Sequence, residues 1–275
     1  MSLKNEFIKM ITQLRASFAV PRIADIFLPP FYKGGQRKDA QFMAIVLEGG
    51  ATGISYILLP DEKMEAYNAL QLRDFAGKDP QEFALELGNE DPVKEMISMA
   101  AINAICQYVM KETHSPVDHV TDSLGLLSVD RGDRIGMVGL FGGLTETIKK
   151  AGAELIIIEK KKSLIQKFRD LPMTLDVAKL AACNKILCTS TTVLNNSLDE
   201  ILAHCSPDAF ISVVGPTAGY FPDPLFARGV GVVGGRVVEN SKEFLQRLAQ
   251  RKPWGDTTRR TCFQKKTYRG IINSG

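Results

Sequence analysis

Arg134-Ile135-Gly136-Met137-Val138-Gly139-Leu140-Phe141-Gly142-Gly143-Leu144-Thr145 decides the fold. Its apolar run reads as a short strand, its glycines as a turn, and its end as the start of a helix. The same change recurs twice downstream. Lys185-Ile186-Leu187-Cys188 gives way to Thr189-Ser190-Thr191-Thr192, and Ala209-Phe210-Ile211-Ser212-Val213-Val214 to Gly215-Pro216-Thr217-Ala218-Gly219. Strands are expected over 135–139, 154–158, 185–189, 209–214 and 230–233, with helices over 143–151, 197–204 and 241–250. That alternation makes a doubly wound parallel sheet, so the fold class is α/β. In such a sheet the loops at the carboxyl ends of the strands gather where ligands bind.

Upstream the rhythm differs. Phe7, Ile8, Ile11, Leu14 and Phe18 recur at helical spacing, which predicts an amphipathic helix over residues 3–18. Two apolar runs, 42–47 and 54–59, flank Glu48-Gly49-Gly50-Ala51-Thr52-Gly53 and read as a hairpin, with a further strand over 22–28. Asp91 before Pro92 is a helix start, and a long apolar helix follows to Lys111 with Asn103 as its polar exception. Pro116, Asp118, Asp122, Gly125 and the turn Asp130-Arg131-Gly132-Asp133 then break any periodicity. The expected division is therefore 1–112, an α+β domain; 113–133, a connector; 134–255, the parallel-sheet domain; and 256–275, a basic tail.

A chain of 275 residues, 45% hydrophobic and 24% charged, has the composition of an ordinary globular protein rather than a disordered or fibrous one. It has no apolar stretch of the ~20 residues a bilayer requires, so no membrane partner is expected. The first residues lack the apolar core of a secretory leader, and the expectation is a cytoplasmic protein with reduced thiols. Charge is uneven. The net +3 divides into +6 from Arg251 onward and −3 before it. A basic tail can attract nucleic acid, but no aromatic platform accompanies this one, and a solvated tail or one pairing with an acidic body is the preferred reading.

The glycine turn departs from a dinucleotide fingerprint. In G-x-G-x-x-G the second glycine lets the backbone approach a pyrophosphate, and here Phe141 stands in that place, which argues against NAD. Glu159 ends the second strand, 20 residues after Gly139, where nucleotide-binding sheets carry an acid for ribose hydroxyls. A helix cap or surface charge would also account for it. Thr189-Ser190-Thr191-Thr192, with Asn195-Asn196 beyond, offers more hydroxyls than one cap requires, and so suggests a polar or anionic ligand. Gly215 permits close approach and Pro216 stiffens the entry to the third loop. The five cysteines and three histidines match no zinc spacing, and no nucleophile elbow is present.

These motifs carry a resemblance. Thr189 to Glu200, Val214-Gly215-Pro216-Thr217-Ala218, Pro222-Asp223-Pro224-Leu225-Phe226-Ala227-Arg228-Gly229 and the turn Val138-Gly139-Leu140-Phe141-Gly142 resemble signatures of a heavy-metal-chelation family of prokaryotic proteins. Ala100-Ala101-Ile102-Asn103-Ala104 looks like the helix motif of its companion N-terminal domain. The resemblance implies an N-terminal domain similar to the capping domain of enolases, a Rossmann-like C-terminal domain, and a site in the cleft between them. Carried over, Gly139, Phe141, Gly142, Thr189, Ser190, Thr191, Asn195, Gly215, Pro216 and Thr217 line one wall. Asn103 reaches in from the other.

The donors in those motifs are hydroxyls, amides and glycines, and soft metals prefer thiolate and imidazole. The expected ligand is thus a small polar molecule, with a heavy metal, a metallate or a metal chelate as the candidate. An enzyme acting on a small anionic or nucleoside-like substrate, with Glu159 as ribose binder or base, is the alternative. A homodimer is expected only from how common such assemblies are.

Overall fold

A computed structural model describes residues 2–31, 41–115, 117–122 and 127–271. The first helix, α1 (Leu3–Ser17), begins where the Ser2 hydroxyl accepts the Asn5 N–H. It buries Leu3, Phe7, Met10, Ile11 and Leu14, the stripe its spacing predicts. Strands β1 (Ile23–Phe27), β2 (Phe42–Leu47) and β3 (Thr52–Tyr56) form an antiparallel sheet in that order. The hairpin is present, but its second strand starts at Thr52 and ends at Tyr56, not at 54 and 59. Pairing of Val46 with Thr52 sets that start, since the turn is closed early by the Leu47 N–H on the Ala51 carbonyl.

Two short helices, α2 (Met64–Asn68) and α3 (Pro80–Ala84), lead to α4 (Pro92–Glu112), whose cap is the Asp91 carboxylate on the Val93 N–H. This helix is buried nearly all round and has no solvent face over its middle turns. It lies so close to β3 that a Cβ at Gly53 would stand 1.9 Å from the Ala100 carbonyl oxygen.

The second half is a seven-stranded sheet: β4 (Arg134–Val138), β5 (Glu154–Ile158), β6 (Met173–Thr174), β7 (Lys185–Thr189), β8 (Phe210–Val214), β9 (Val232–Val238) and β10 (Thr258–Gln264). The spatial order is β10-β9-β8-β7-β4-β5-β6, parallel throughout except for β10. Helices α5 (Gly142–Ala151), α6 (Lys162–Lys167), α7 (Thr191–Leu194), α8 (Leu198–His204), α9 (Asp223–Phe226) and α10 (Ser241–Ala249) cover it. The mixed α/β class is as expected. Chain direction along the sheet reverses between β4 and β7, which is the topological switch point.

Three readings need correction. The last parallel strand runs over Val232–Val238 rather than 230–233, because Gly234-Gly235-Arg236 hides its second half from an apolar count. The basic tail is not a tail throughout: Thr258–Gln264 is the edge strand β10, paired with β9 along its whole length. Adjacent exposed Arg259 and Arg260 break its alternation, and they pair with Glu239 and Asp122 of the acidic body. The two-residue strand β6 escaped the sequence reading altogether. Of the connector's breakers, Pro116 and Gly125 lie outside the described residues. The Asp118 carbonyl accepts the Cys262 N–H, so that segment runs along the outer edge of β10.

The core is shared. Phe7, Met96, Ala100 and Ile105 of the N-terminal half belong to one buried cluster with Val138, Ile158, Cys188 and Val213 of the large sheet. A separate cluster of Ile135, Met137, Ile148, Ile157 and Leu187 fills the opposite face. Among the described residues no helix is long and apolar enough to cross a membrane.

Candidate functional site

The loops that follow β4, β7 and β8 converge at the switch point, and the packing between them is tight. Gly139, at φ 80°, donates its N–H to the Ile158 carbonyl and faces Thr189 so closely that a Cβ would meet the threonine methyl at 3.0 Å. A Cβ on Gly215 would stand 2.3 Å from the Ser190 hydroxyl oxygen. Only glycine lets the third loop cross the second there. Pro216 and Thr217 occupy the centre of a turn that the Ala218 N–H closes on the Gly215 carbonyl, with proline in the position that presets φ.

The four consecutive hydroxyls divide their work. Thr192 turns back to donate to the Thr189 carbonyl, at 2.7 Å. The Thr189 and Thr191 hydroxyls meet at 3.1 Å, and both residues are half-buried at the crevice wall. Ser190 is buried beneath Gly215, its N–H on the Val214 carbonyl.

The N-terminal half closes on this wall through three residues. Asn103, 2% exposed on α4, donates from Nδ2 to the Ile54 carbonyl at 2.7 Å and to the Thr217 carbonyl at 2.8 Å. The polar exception on the helix therefore bridges the two sheets. Its Oδ1 is buried without a partner. One turn along, Gln107 accepts the Thr52 N–H and donates to the Val238 carbonyl. Tyr56, at the end of β3, gives its backbone N–H to the Thr217 hydroxyl at 3.0 Å. Burial, and after it the charge of Glu159, raise its phenol above the ordinary tyrosine value.

Sequence reasoning missed both Gln107 and Tyr56. Gln107 stands four residues after Asn103 on the same apolar helix, and that spacing was a usable signal. Tyr56 gave none, since its importance depends on which loop β3 meets.

Not every candidate joins the crevice. Asn195 is exposed, and its Oδ1 accepts both the N–H and the hydroxyl of Ser197 at the start of α8. With Leu58, Pro92, Met96 and Leu194 it borders a separate cavity of about 190 Å³. Phe141 is half-buried and packs against the cluster on the far face of the sheet, its N–H on the Met137 sulfur. Gly142 is exposed in the first turn of α5. Glu159, half-buried at the end of β5, accepts the Lys161 N–H at 2.9 Å. The 222–229 motif acts elsewhere. Asp223 accepts the Tyr268 hydroxyl at 2.6 Å, and Arg228 joins Glu6 of α1 to Asp199 of α8.

A soft metal ion does not fit these donors. Among the described residues no three His, Cys, Asp or Glu side chains converge. The thiol at the end of β7, Cys188, is fully buried and points to the Thr192 hydroxyl, and burial pushes it up to about 12. A thiol held protonated and turned inward offers no thiolate to a ligand above it.

Residues 122–265 match the family DUF364, described as "Putative heavy-metal chelation", and residues 40–106 match DUF4213, which carries the same description. No curated protein matches the chain. Two solved structures, both of DUF364 proteins of unknown function, share the fold over nearly their whole length. One, from Pyrococcus horikoshii, is 19% identical with a TM-score of 0.72, over 95% of this chain and 99% of its own. Another, from Desulfitobacterium hafniense, is 15% identical with a TM-score of 0.65, over 94% and 98%.

Proposed function

The chain belongs to the DUF364 family, and from that premise we propose that its crevice binds a small, oxygen-rich metal species, a metallate or a metal chelate. Such a ligand is recognised through hydroxyls and backbone N–H groups, not through direct metal–protein bonds. The observation that carries this reading is a Cys188 thiol buried against the Thr192 hydroxyl, beside half-buried Thr189 and Thr191 whose hydroxyls meet at 3.1 Å. Oxyanions and the oxygen shell of a chelate accept hydrogen bonds from neutral donors, and a buried thiol contributes nothing to that. The residues proposed to contact the ligand are Gly139, Thr189 and Thr191 from the sheet side, with Ser190, Gly215, Pro216, the buried Thr217 and Asn103 holding the loops in register.

Glu159 favours a second reading, a nucleoside-like substrate, because it ends the strand next to the glycine turn. Native mass spectrometry of protein purified without chelator, with elemental analysis of the same sample, separates the two. A stoichiometric metal with the mass of its oxo or organic shell is the expected result. An organic mass free of metal, lost on Glu159→Gln, would establish the nucleoside reading instead. Binding of bare cadmium or zinc that disappears in Cys188→Ser would overturn the proposal.

A further inference from the structure

Glu95, 5% exposed in the first turn of α4, loads one carboxylate oxygen and leaves the other idle. Its Oε1 accepts the Lys4 ammonium at 2.6 Å, the Gly88 N–H at 2.8 Å and the Glu90 N–H at 3.4 Å. Its Oε2 is buried with no partner among the described residues. A carboxylate oxygen kept from water and left without a donor is costly, and whatever relieves it must bring a hydrogen. Glu95 also borders the cavity of about 190 Å³ that Asn195 lines. Leu58, Pro92, Met96 and Leu194 give that cavity apolar walls, and exposed Glu90, Asn195 and Asn196 add polar ones. Lys4 neutralises one of the two carboxylates. Among the described residues the Glu90 side chain makes no ion pair, so the lining keeps a net negative charge. Water alone fits poorly where half of the lining is apolar, since an ordered water takes about two to four polar partners.

We propose that this cavity is a second binding site and that it takes a small organic cation, a primary ammonium on a short apolar chain. The ammonium donates to the Glu95 carboxylate, Glu90 adds its charge, and the chain lies against Leu58, Pro92, Met96 and Leu194. At about 30 Å³ for each water-sized group the volume holds about six heavy atoms, the size of a butyl- or pentylammonium ion. The carboxylates repel an anion of the same length. A neutral alcohol gains a hydrogen bond without the charge, which is the weaker interaction. Helix α7 begins at Thr191, on the crevice wall, and ends at Leu194, in the cavity, so the two sites share an element and not a ligand. What the cavity holds does not depend on what the crevice binds.

Saturation-transfer NMR titrations of the full chain at pH 7 and physiological salt test this with n-butylammonium, 1-butanol and butyrate, three probes with the same length of chain. Butylammonium is expected to bind in the millimolar range, at least about tenfold more tightly than 1-butanol, with no transfer to butyrate. Leu58→Trp, at a half-buried position, fills the cavity, leaves the Lys4–Glu95 pair in place and should abolish binding. Lys4→Met combined with Glu95→Gln removes the charge while leaving no lysine unpaired, and the amide oxygen still accepts from Gly88. In that variant butylammonium should weaken at least about tenfold and 1-butanol should stay within about twofold. Circular dichroism checks that both variants are folded. Glu90→Gln, on the surface, keeps the test open if they are not, and should weaken butylammonium about two- to threefold. Equal affinity for the ammonium and the alcohol, or no binding of butylammonium and hence a cavity of water only, overturns the proposal. So does an affinity that survives Leu58→Trp, or one unchanged in both charge variants. None of these outcomes bears on the crevice, which elemental analysis tests separately.

Discussion

Asn103 is a buried amide whose two hydrogens serve two carbonyls, one in each half of the molecule. Replacing it by Leu leaves the Ile54 and Thr217 carbonyls buried without those bonds, which costs about 2–3 kcal/mol. Urea unfolding measures that loss, and Asn103→Leu should also weaken ligand binding, because the Thr217 turn loses its anchor. Loss of stability without any change in binding would make the bridge purely structural. Gly215 makes the complementary case. In Gly215→Ala the added methyl must displace Ser190, so about 1–3 kcal/mol of stability and most binding should go. In Gly215→Ala combined with Ser190→Gly the methyl no longer meets that hydroxyl, and part of the stability should return. A double variant no better than the single one would show that the clash with Ser190 is not the cause. The polar exception in an apolar helix was visible in the sequence. That it spends both hydrogens on backbone, and that Asn195 spends its oxygen on a helix start, were not, because one residue type serves caps and ligands alike.

Elements succeed or fail by their contact with α4 and by the registry of the large sheet. Gly53→Ala would force a methyl into the Ala100 carbonyl and the Ala104 N–H, where β3 packs on α4. The backbone of α4 cannot yield locally, as it is buried on both sides, and a loss of about 3 kcal/mol or more is expected from urea midpoints. The starts of β4 and β7 are tied by Asp133, which takes the Lys185 ammonium at 2.7 Å and the Asn184 amide at 2.8 Å. Burial works against this carboxylate, but Lys185 and the bonds from Asp130 and Asn184 outweigh it and hold its pKa below the ordinary value. A depressed folded value means that the stabilisation is complete above the unfolded pKa, near ~4, and is lost as pH falls through the lower folded one. Asp133→Asn should therefore be less stable than wild type at pH 7 by about 2 kcal/mol, with the gap closing below about pH 4. A gap that does not change with pH would exclude the charge as its cause. The strand-to-loop transitions were legible because parallel strands buried on both faces read as apolar runs that end abruptly. Strand β10 was not legible. Its partner β9 supplies the pairing, and its own sequence mixes two exposed arginines with the buried Thr261, Cys262 and Phe263.

At the scale of the molecule the two sheets have no separate interiors. Residues of α1 and α4 share a cluster with six strands of the large sheet, and Asn103 and Gln107 bond across the same boundary. Arg228 adds a polar tie, with Glu6 at 2.5 Å and Asp199 at 2.7 Å. Such a molecule should unfold once. Its single tryptophan tests this directly, because Trp254 packs on Phe42 of the N-terminal sheet and on Phe244 of α10. Tryptophan fluorescence, far-ultraviolet circular dichroism and calorimetry are expected to give one coincident transition. Arg228→Ala should lower its midpoint by about 2–4 °C without splitting it, since the apolar boundary, not the ion pair, makes the coupling. Two resolved transitions in wild type would mean that the halves are stable alone and that the crevice can open by their separation. A single one means that the crevice is fixed by the core beneath it. In that case the loops after β4, β7 and β8 are presented to a ligand already in position, and affinity is not reduced by ordering them on binding.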